Sequence, residues 1–313
     1  MNWRILISAP YFLPVVEHYR AQLEAAGMEL VIADVRERLS EDELLRLVPT
    51  MHGAICGDDQ FTERVLRAAP HLKVISKWGT GIDSIDTTAA ARLGIRVFNT
   101  PGAFTDCVAD STLGYVINFA RGLLRMDQEV RSGKWIKPDA VTLRECTLGV
   151  IGVGNIGKAV VRRAVTFGMT VLGCDPLPVA ESFVAETGLK LVSKHELLES
   201  SDFVTLHCDL NPTSYHLIDR PELDAMQPTA YLINTSRGPV VNEQALIEAL
   251  ASGKIAGAAL DVFESEPLPL DSPLRKLDNC LLAPHNANSG LAAKKRVHES
   301  TINNLLTGLK QAK

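Results

Sequence analysis

Leu148-Gly149-Val150-Ile151-Gly152-Val153-Gly154-Asn155-Ile156-Gly157 runs an apolar segment straight into glycines spaced G-x-G-x-x-G. Glycines are common, so the spacing alone says little. Its surroundings say more: a helical pattern over 156–167 leads out, a strand pattern over 170–174 follows, and that strand ends at Asp175, 18 residues after Gly157. Each glycine then has a task. One makes a tight turn, one lets backbone approach a pyrophosphate, and one packs helix against strand. The helix start at Asn155 and Ile156 supplies free N–H groups and partial positive charge for the phosphates. Asp175 stands where a carboxylate accepts from ribose hydroxyls and repels a 2′-phosphate. Two like charges about 4 Å apart cost on the order of 4 kcal/mol at an effective dielectric of 20. The expected cofactor is NAD, in preference to NADP.

Outward from this turn, short apolar runs alternate with helical patterns along the whole chain, which is how a parallel sheet wound with helices reads. In the first hundred residues strands are expected at 4–8, 29–33, 53–56, 73–76 and 96–98. Helices are expected at 15–26, stopped by Gly27, and at 41–47, capped by Ser40. Residues 106–124 read as one long connecting helix. Further strands are expected at 148–151, 189–192, 203–207, 230–234, 256–260 and 280–283, and a last helix at 291–306 with Gly308 as its stop.

A length of 313 residues favours two domains. Hydrophobic residues at 46% and charged residues at 22% exclude a largely disordered chain. With 32 Lys and Arg against 37 Asp and Glu, the formal charge of -5 offers no concentrated positive field for nucleic acid. No apolar stretch reaches the length of a membrane span, and the N-terminal apolar run is too short for a signal peptide, so a cytoplasmic protein is expected. The six cysteines are scattered, with no Cys-x-x-Cys pair, and read as reduced thiols; no metal is expected.

Ligands of a doubly wound sheet bind beyond the carboxyl ends of its strands. Three polar residues stand there: Arg237 after 231–234, Glu266 in the run after 258–260, and His285 after 281–283. Arg237 offers a forked donor to a carboxylate and polarises the adjacent carbonyl. His285 suits proton exchange near neutral pH, and Glu266 would hold the imidazole and favour its charged form. Together, downstream of a dinucleotide turn, they fit hydride transfer to a 2-oxo acid. His207 also ends a strand, and is read as lining the cofactor cleft.

The same residues give the chain a resemblance to the D-isomer-specific 2-hydroxyacid dehydrogenases. The matching segments are 78–86 (Trp78-Gly79-Thr80-Gly81-Ile82-Asp83-Ser84-Ile85-Asp86), the glycine turn with Asp175, 233–238, 258–267 and 283–285, in family order over nearly the full chain. The resemblance implies a Rossmann cofactor domain at 99–284 inserted into a flavodoxin-like substrate domain made of 1–98 and 285–313. Both would be α/β, doubly wound parallel sheets. It implies Arg237, Glu266 and His285 as the catalytic set. Cofactor contacts would come from Gly152, Gly154, Asn155, Ile156, Gly157, Asp175, His207, Cys208, Thr235, Ser236 and Asp261. Lys77, Trp78, Gly79 and Thr80 would join Arg237 and His285 around a small 2-hydroxy or 2-oxo acid. It also implies a homodimer, with Leu113, Val116, Ile117, Phe119 and Ala120 either in that interface or in interdomain core.

Two departures bear on substrate. Where phosphoglycerate dehydrogenases place basic residues after the third strand, this chain has Cys56-Gly57-Asp58-Asp59-Gln60, whose carboxylates would repel a phosphate. Asn286 and Asn288 stand where the family commonly has apolar or small residues. The reading from another class is a cofactor-sensing binding protein, since transcriptional corepressors share this fold. No long basic arm favours it.

Overall fold

Five short strands form the first sheet: β1 (Trp3–Ile7), β2 (Met28–Ile32), β3 (Gly53–Cys56), β4 (Val74–Lys77) and β5 (Arg96–Phe98), in the order β2-β1-β3-β4-β5 with every pairing parallel. An all-parallel sheet is covered on both faces, so its central strands are apolar on both. Ile5, Leu6, Ile7, Ile55, Val74 and Ile75 are fully buried. Four helices connect these strands: α1 (Val16–Ala25), α2 (Glu41–Leu47), α3 (Glu63–Arg67) and α4 (Thr87–Arg92). The Ser40 hydroxyl accepts the Glu43 N–H while Glu43 reaches back to the Ser40 N–H, a reciprocal cap worth about 1 kcal/mol. Thr62 and Asp86 cap α3 and α4 through their own side chains; these short helices carry too little periodicity to be read from sequence.

The structure is a computed structural model that describes residues 2–311, and it divides into two units: one runs to Phe104 and resumes at Gly290, the other is Thr105–Ser289. The second unit opens with α5 (Thr105–Arg121) and α6 (Leu123–Arg131). Residues 106–124 are therefore not one helix. Gly122 takes the left-handed conformation at φ 63° and breaks it, which costs glycine nothing. Leu113, Val116 and Ala120 lie in the core of this unit, with Ile117 and Phe119 packed against it. Several large apolar side chains on and after α6 are left in solvent: Leu123, Leu124, Val130, Trp135 and Ile136.

The second sheet has seven parallel strands: β6 (Thr147–Ile151), β7 (Thr170–Cys174), β8 (Lys190–Leu191), β9 (Phe203–Leu206), β10 (Tyr231–Asn234), β11 (Gly257–Leu260) and β12 (Cys280–Leu282). Its order is β12-β11-β10-β9-β6-β7-β8, the dinucleotide-binding arrangement with a seventh strand, and strand order reverses between β6 and β9. The helices α7 (Asn155–Thr166), α8 (Glu181–Thr187), α9 (Lys194–Ser200), α10 (Arg220–Ala225) and α11 (Glu243–Ala251) cover it. The last helix, α12 (Leu291–Lys310), belongs to the first unit. It does not stop at Gly308. A β-carbon there would lie 2.4 Å from Val74 Cγ2, so this glycine lets α12 lie close on β4.

The boundaries differ from 98/99 and 284/285 for reasons visible in the hydrogen bonds. Residues 99–104 stay with the first unit because the Thr100 N–H donates to Gly79 O and Asn99 Nδ2 to Thr80 O. Residues 285–289 stay with the second because the His285 N–H donates to Asp261 O, and the Asn286 and Ala287 N–H groups to the Asp261 carboxylate.

Candidate active site

The glycine turn follows β6, at the point where strand order reverses. A β-carbon on Gly152 would sit 2.7–2.8 Å from the His207 carbonyl group and the Cys208 nitrogen, and one on Gly157 would sit 2.0 Å from Gly152 O. Gly152, at φ 90°, lets the turn lie against the end of β9, and Gly157 lets α7 start directly under it. Gly154 differs from both. A β-carbon there would meet nothing within 4 Å, at the exposed N-terminus of a twelve-residue helix. Gly154 and Asn155 are exposed, so the first N–H groups of α7 open onto free space where an anion could sit.

Asp175 closes the other side. Its Oδ2 accepts the Val153 N–H at 2.6 Å and its Oδ1 the Leu177 N–H at 2.8 Å, so one carboxylate pins the glycine turn while remaining part-exposed. Both ring nitrogens of His207 are shut off from solvent and have no hydrogen-bond partner among the described residues. Burial pushes its pKa down to about 3, so the ring is neutral at physiological pH and cannot donate as imidazolium. A neutral histidine with unsatisfied nitrogens beside the glycine turn fits a wall completed by a bound molecule. Burial pushes the neighbouring Cys208 thiol up to about 11, which leaves it protonated and inert.

Arg237, Glu266 and His285 come from three strand ends, and backbone packing joins them. After β10 the Asn234 side chain accepts the Ser236 N–H and hydroxyl through Oδ1 and donates to Arg237 O through Nδ2, folding 234–237 into a fixed turn. Thr235 is buried with its hydroxyl 3.2 Å from that of Thr112. The next residue after the arginine, Gly238, has no room for a side chain: a β-carbon would fall 1.9 Å from the Phe263 carbonyl group. The Phe263 N–H donates to Glu266 Oε1, and Glu266 Oε2 lies 2.8 Å from His285 Nδ1. A carboxylate only accepts, so His285 carries its hydrogen on Nδ1 and leaves Nε2 for chemistry.

His285 adopts φ 50°, which is uncommon for a residue with a side chain. Asp261 holds it there. It is 2% exposed, its carbonyl accepts the His285 N–H, and its carboxylate accepts the next two. Burial pushes the Asp261 pKa up, while these two donors and the nearby His285 pull it down. Asp261, expected among cofactor contacts, shapes the turn that carries His285. Sequence reasoning missed how Asn234, Gly238 and Asp261 build these turns. The residue directly after the arginine being the smallest of all was the available signal.

In the first unit the expected substrate residues divide. Lys77 is 3% exposed and its Nζ lies 3.0 Å from Asp58 and 3.3 Å from Trp78 O, so its charge is already neutralised. Asp59 is fully buried and structural: it accepts from the Leu39 and Gly57 N–H groups and from Ser8 Oγ. The Trp78 N–H is taken by Cys56 O, and its ring is buried. The N–H groups of Gly79, at φ 130°, and of Thr80 find no acceptor among the described residues.

Residues 113–287 match the family described as D-isomer specific 2-hydroxyacid dehydrogenase, NAD binding domain. The chain is 41% identical over 281 residues to a glyoxylate reductase of Thermofilum pendens, covering 87% of this chain and 82% of that one. It is 38% identical over 300 residues to the glyoxylate reductase/hydroxypyruvate reductase of Homo sapiens, covering 93% and 90%. Among solved structures it is similar to a D-lactate dehydrogenase from Aquifex aeolicus complexed with NAD and lactic acid. There the TM-score is 0.89 at 28% identity, with 98% and 96% of the two chains covered.

Proposed function

The chain belongs to the D-isomer-specific 2-hydroxyacid dehydrogenase family, and from that premise we propose that it interconverts a small, unphosphorylated D-2-hydroxy acid and its 2-oxo acid with NAD(H). His285 is the proton donor and acceptor, Glu266 holds its ring, and Arg237 binds the substrate carboxylate. The observation that carries this reading is the 2.8 Å His285–Glu266 pair, joined through Phe263, whose N–H donates to Glu266 and whose carbonyl group packs against Gly238, to the turn that bears Arg237. Bound NADH would supply the hydride. The first turn of α7 from Gly154 would hold its pyrophosphate, and Asp175 its ribose hydroxyls. In reduction, protonated His285 donates from Nε2 to the carbonyl oxygen; in oxidation the neutral ring takes that proton back. Arg237 presents two parallel donors to the carboxylate, and the Gly79 and Thr80 amides of the first unit are assigned to substrate.

Paired Lys77 and acidic Asp58 offer no welcome to a phosphate beside Gly79. With NADH oxidation as the readout, glyoxylate and hydroxypyruvate are expected to be reduced, and 3-phosphohydroxypyruvate far more slowly than either. A protein that binds NADH yet reduces none of these, nor pyruvate or 2-oxoglutarate, is a cofactor-sensing binding protein instead.

The cofactor part has its own test. Gly154→Ala meets no atom of the chain, so it should fold as well as the wild type yet raise KM for NADH about tenfold, by keeping phosphate off the helix start. Gly157→Ala drives a methyl into Gly152 O and should lower stability by about 1–3 kcal/mol. Unchanged NADH binding in Gly154→Ala would move the phosphates elsewhere.

A further inference from the structure

His298 sits on α12 in the first unit, 7% exposed, boxed by aromatic rings. Its ring centroid is 5.6 Å from those of Phe12 and Trp78 and 6.2 Å from that of Tyr19. Trp78 Nε1 lies 2.9 Å from His298 Nδ1. An indole N–H only donates, so Nδ1 is the acceptor, and the imidazole is neutral with its hydrogen on Nε2. Trp78 is the first residue after β4, directly before the two open amides of Gly79 and Thr80. The Trp78 ring also stacks on Tyr11 at 4.9 Å. The same helix grips this strand and the next one. Ser76 Oγ donates to Thr301 O, and Asn304 Nδ2 to Asn99 O.

We propose that His298 is a positioning residue for substrate binding: through the Trp78 indole it holds the Gly79–Thr80 amides in the place where they receive the 2-oxo acid carboxylate. This deepens the dehydrogenase reading and rests on it for the identity of the ligand. Protonating Nδ1 would set two donors face to face, breaking the bond and loosening Trp78. The charged and titratable groups around the ring are Lys294 and Glu299 on its own helix and Tyr19 on α1, with His18 against the Tyr19 ring. Burial, then Lys294, lower the His298 pKa from the ordinary histidine value, and Glu299 opposes them. The neutral, bonded state therefore persists through neutral pH and is lost only in acid. Nothing in this arrangement touches the reacting atoms, so its signature is in KM for the 2-oxo acid.

Two measurements test it. In protein whose Trp3 and Trp135 are replaced by Phe, leaving Trp78 as the sole tryptophan, the indole emission should titrate with a midpoint below about 6.5. The signal should be flat when His298→Asn is added, since the Asn carbonyl oxygen accepts where Nδ1 did and does not titrate. In steady-state kinetics with glyoxylate, His298→Leu should raise KM about tenfold with kcat and the NADH KM within about twofold, and His298→Asn should recover most of the loss. Wild-type KM should climb as pH falls through the emission midpoint, while that of His298→Asn stays level. A flat emission in the single-tryptophan protein, or a KM unmoved in His298→Leu, overturns the inference. So does an equal fall in kcat that Asn does not rescue. Titrating emission in the single-tryptophan protein, together with wild-type protein that reduces no 2-oxo acid, would sink the dehydrogenase reading, and with it the substrate half of this one. Turnover with an unmoved KM sinks this inference alone.

Discussion

His285→Gln is expected to lower kcat for 2-oxo acid reduction by about two to four orders of magnitude while KM for NADH stays within about twofold, because a positioned proton donor is worth about that much. The imidazole is the one side chain of the catalytic set that can hold a proton near neutrality and release it to an alkoxide. An amide cannot. His207 does not substitute for it, since burial keeps that ring neutral down to about pH 3. Gln at φ 50° adds a backbone cost of its own, so His285→Asn, which tolerates the left-handed region better, separates lost chemistry from lost geometry. Both variants should fall equally far in kcat if the proton is what matters. Removing only the partner gives the pH signature. The Glu266 charge favours imidazolium, and reduction needs imidazolium, so activity falls as pH rises through the ring's pKa. Glu266→Gln therefore shifts that limb of the kcat/KM profile to lower pH. A His285→Gln enzyme with wild-type turnover, or an unmoved limb in Glu266→Gln, would remove the pair from the mechanism.

How far the sequence foretold this site depended on whether the relevant physics was local. The glycine turn was legible because strand, turn and helix are contiguous and each glycine answers a steric demand within a few residues. Ser40 announced α2 to the residue, since an N-cap is a local event, and the structure adds the reciprocal bond from Glu43. Gly122 and Gly308 were misread in opposite directions: one breaks a helix expected to continue, the other sits inside a helix expected to stop. A glycine in a helical pattern means a left-handed cap or a close approach, and only the distant Val74 decides that Gly308 is the second. The three proposed catalytic side chains could be picked out because strand ends of a wound sheet are where ligands bind. What joins them was hidden. Asp261 reaches 25 residues along the chain to hold the Asn286 N–H, and Gly238 is pressed against Phe263, contacts between segments that no periodicity links. Hidden too was the pairing of Lys77 with Asp58, which come from the ends of neighbouring strands.

Gly238→Ala should cost kcat/KM for the 2-oxo acid about a hundredfold without touching any reacting group. Its φ is not the obstacle; space is. The new methyl carbon would begin 1.9 Å from the Phe263 carbonyl group and 2.5 Å from Glu264 N, backbone atoms that cannot rotate away. To reach ordinary contact the 237–238 segment and the 263–264 segment must part by about 1 Å or more, and a misplacement of that size costs about 100-fold where reacting groups must be aligned. One segment carries Arg237. The other, through the Phe263 N–H, carries Glu266 and so His285. The guanidinium that grips the carboxylate would thus be displaced from the imidazole that protonates the neighbouring carbon's oxygen. Crowding should also lower stability by about 1–3 kcal/mol. Arg237→Lys supplies the contrast: a point charge replaces the fork, so carboxylate binding suffers, and although the Nη1 bond to Ser236 O is given up, no backbone is forced apart, so the melting temperature should fall by less than in Gly238→Ala. Loss of activity with a large fall in Tm in Gly238→Ala, set against loss with a small one in Arg237→Lys, would show that the site is positioned by backbone contact as well as by side-chain chemistry. Wild-type kcat/KM in a folded Gly238→Ala protein would mean that Arg237 and the His285–Glu266 pair need no fixed spacing, and the catalytic assignment of the three would fail together.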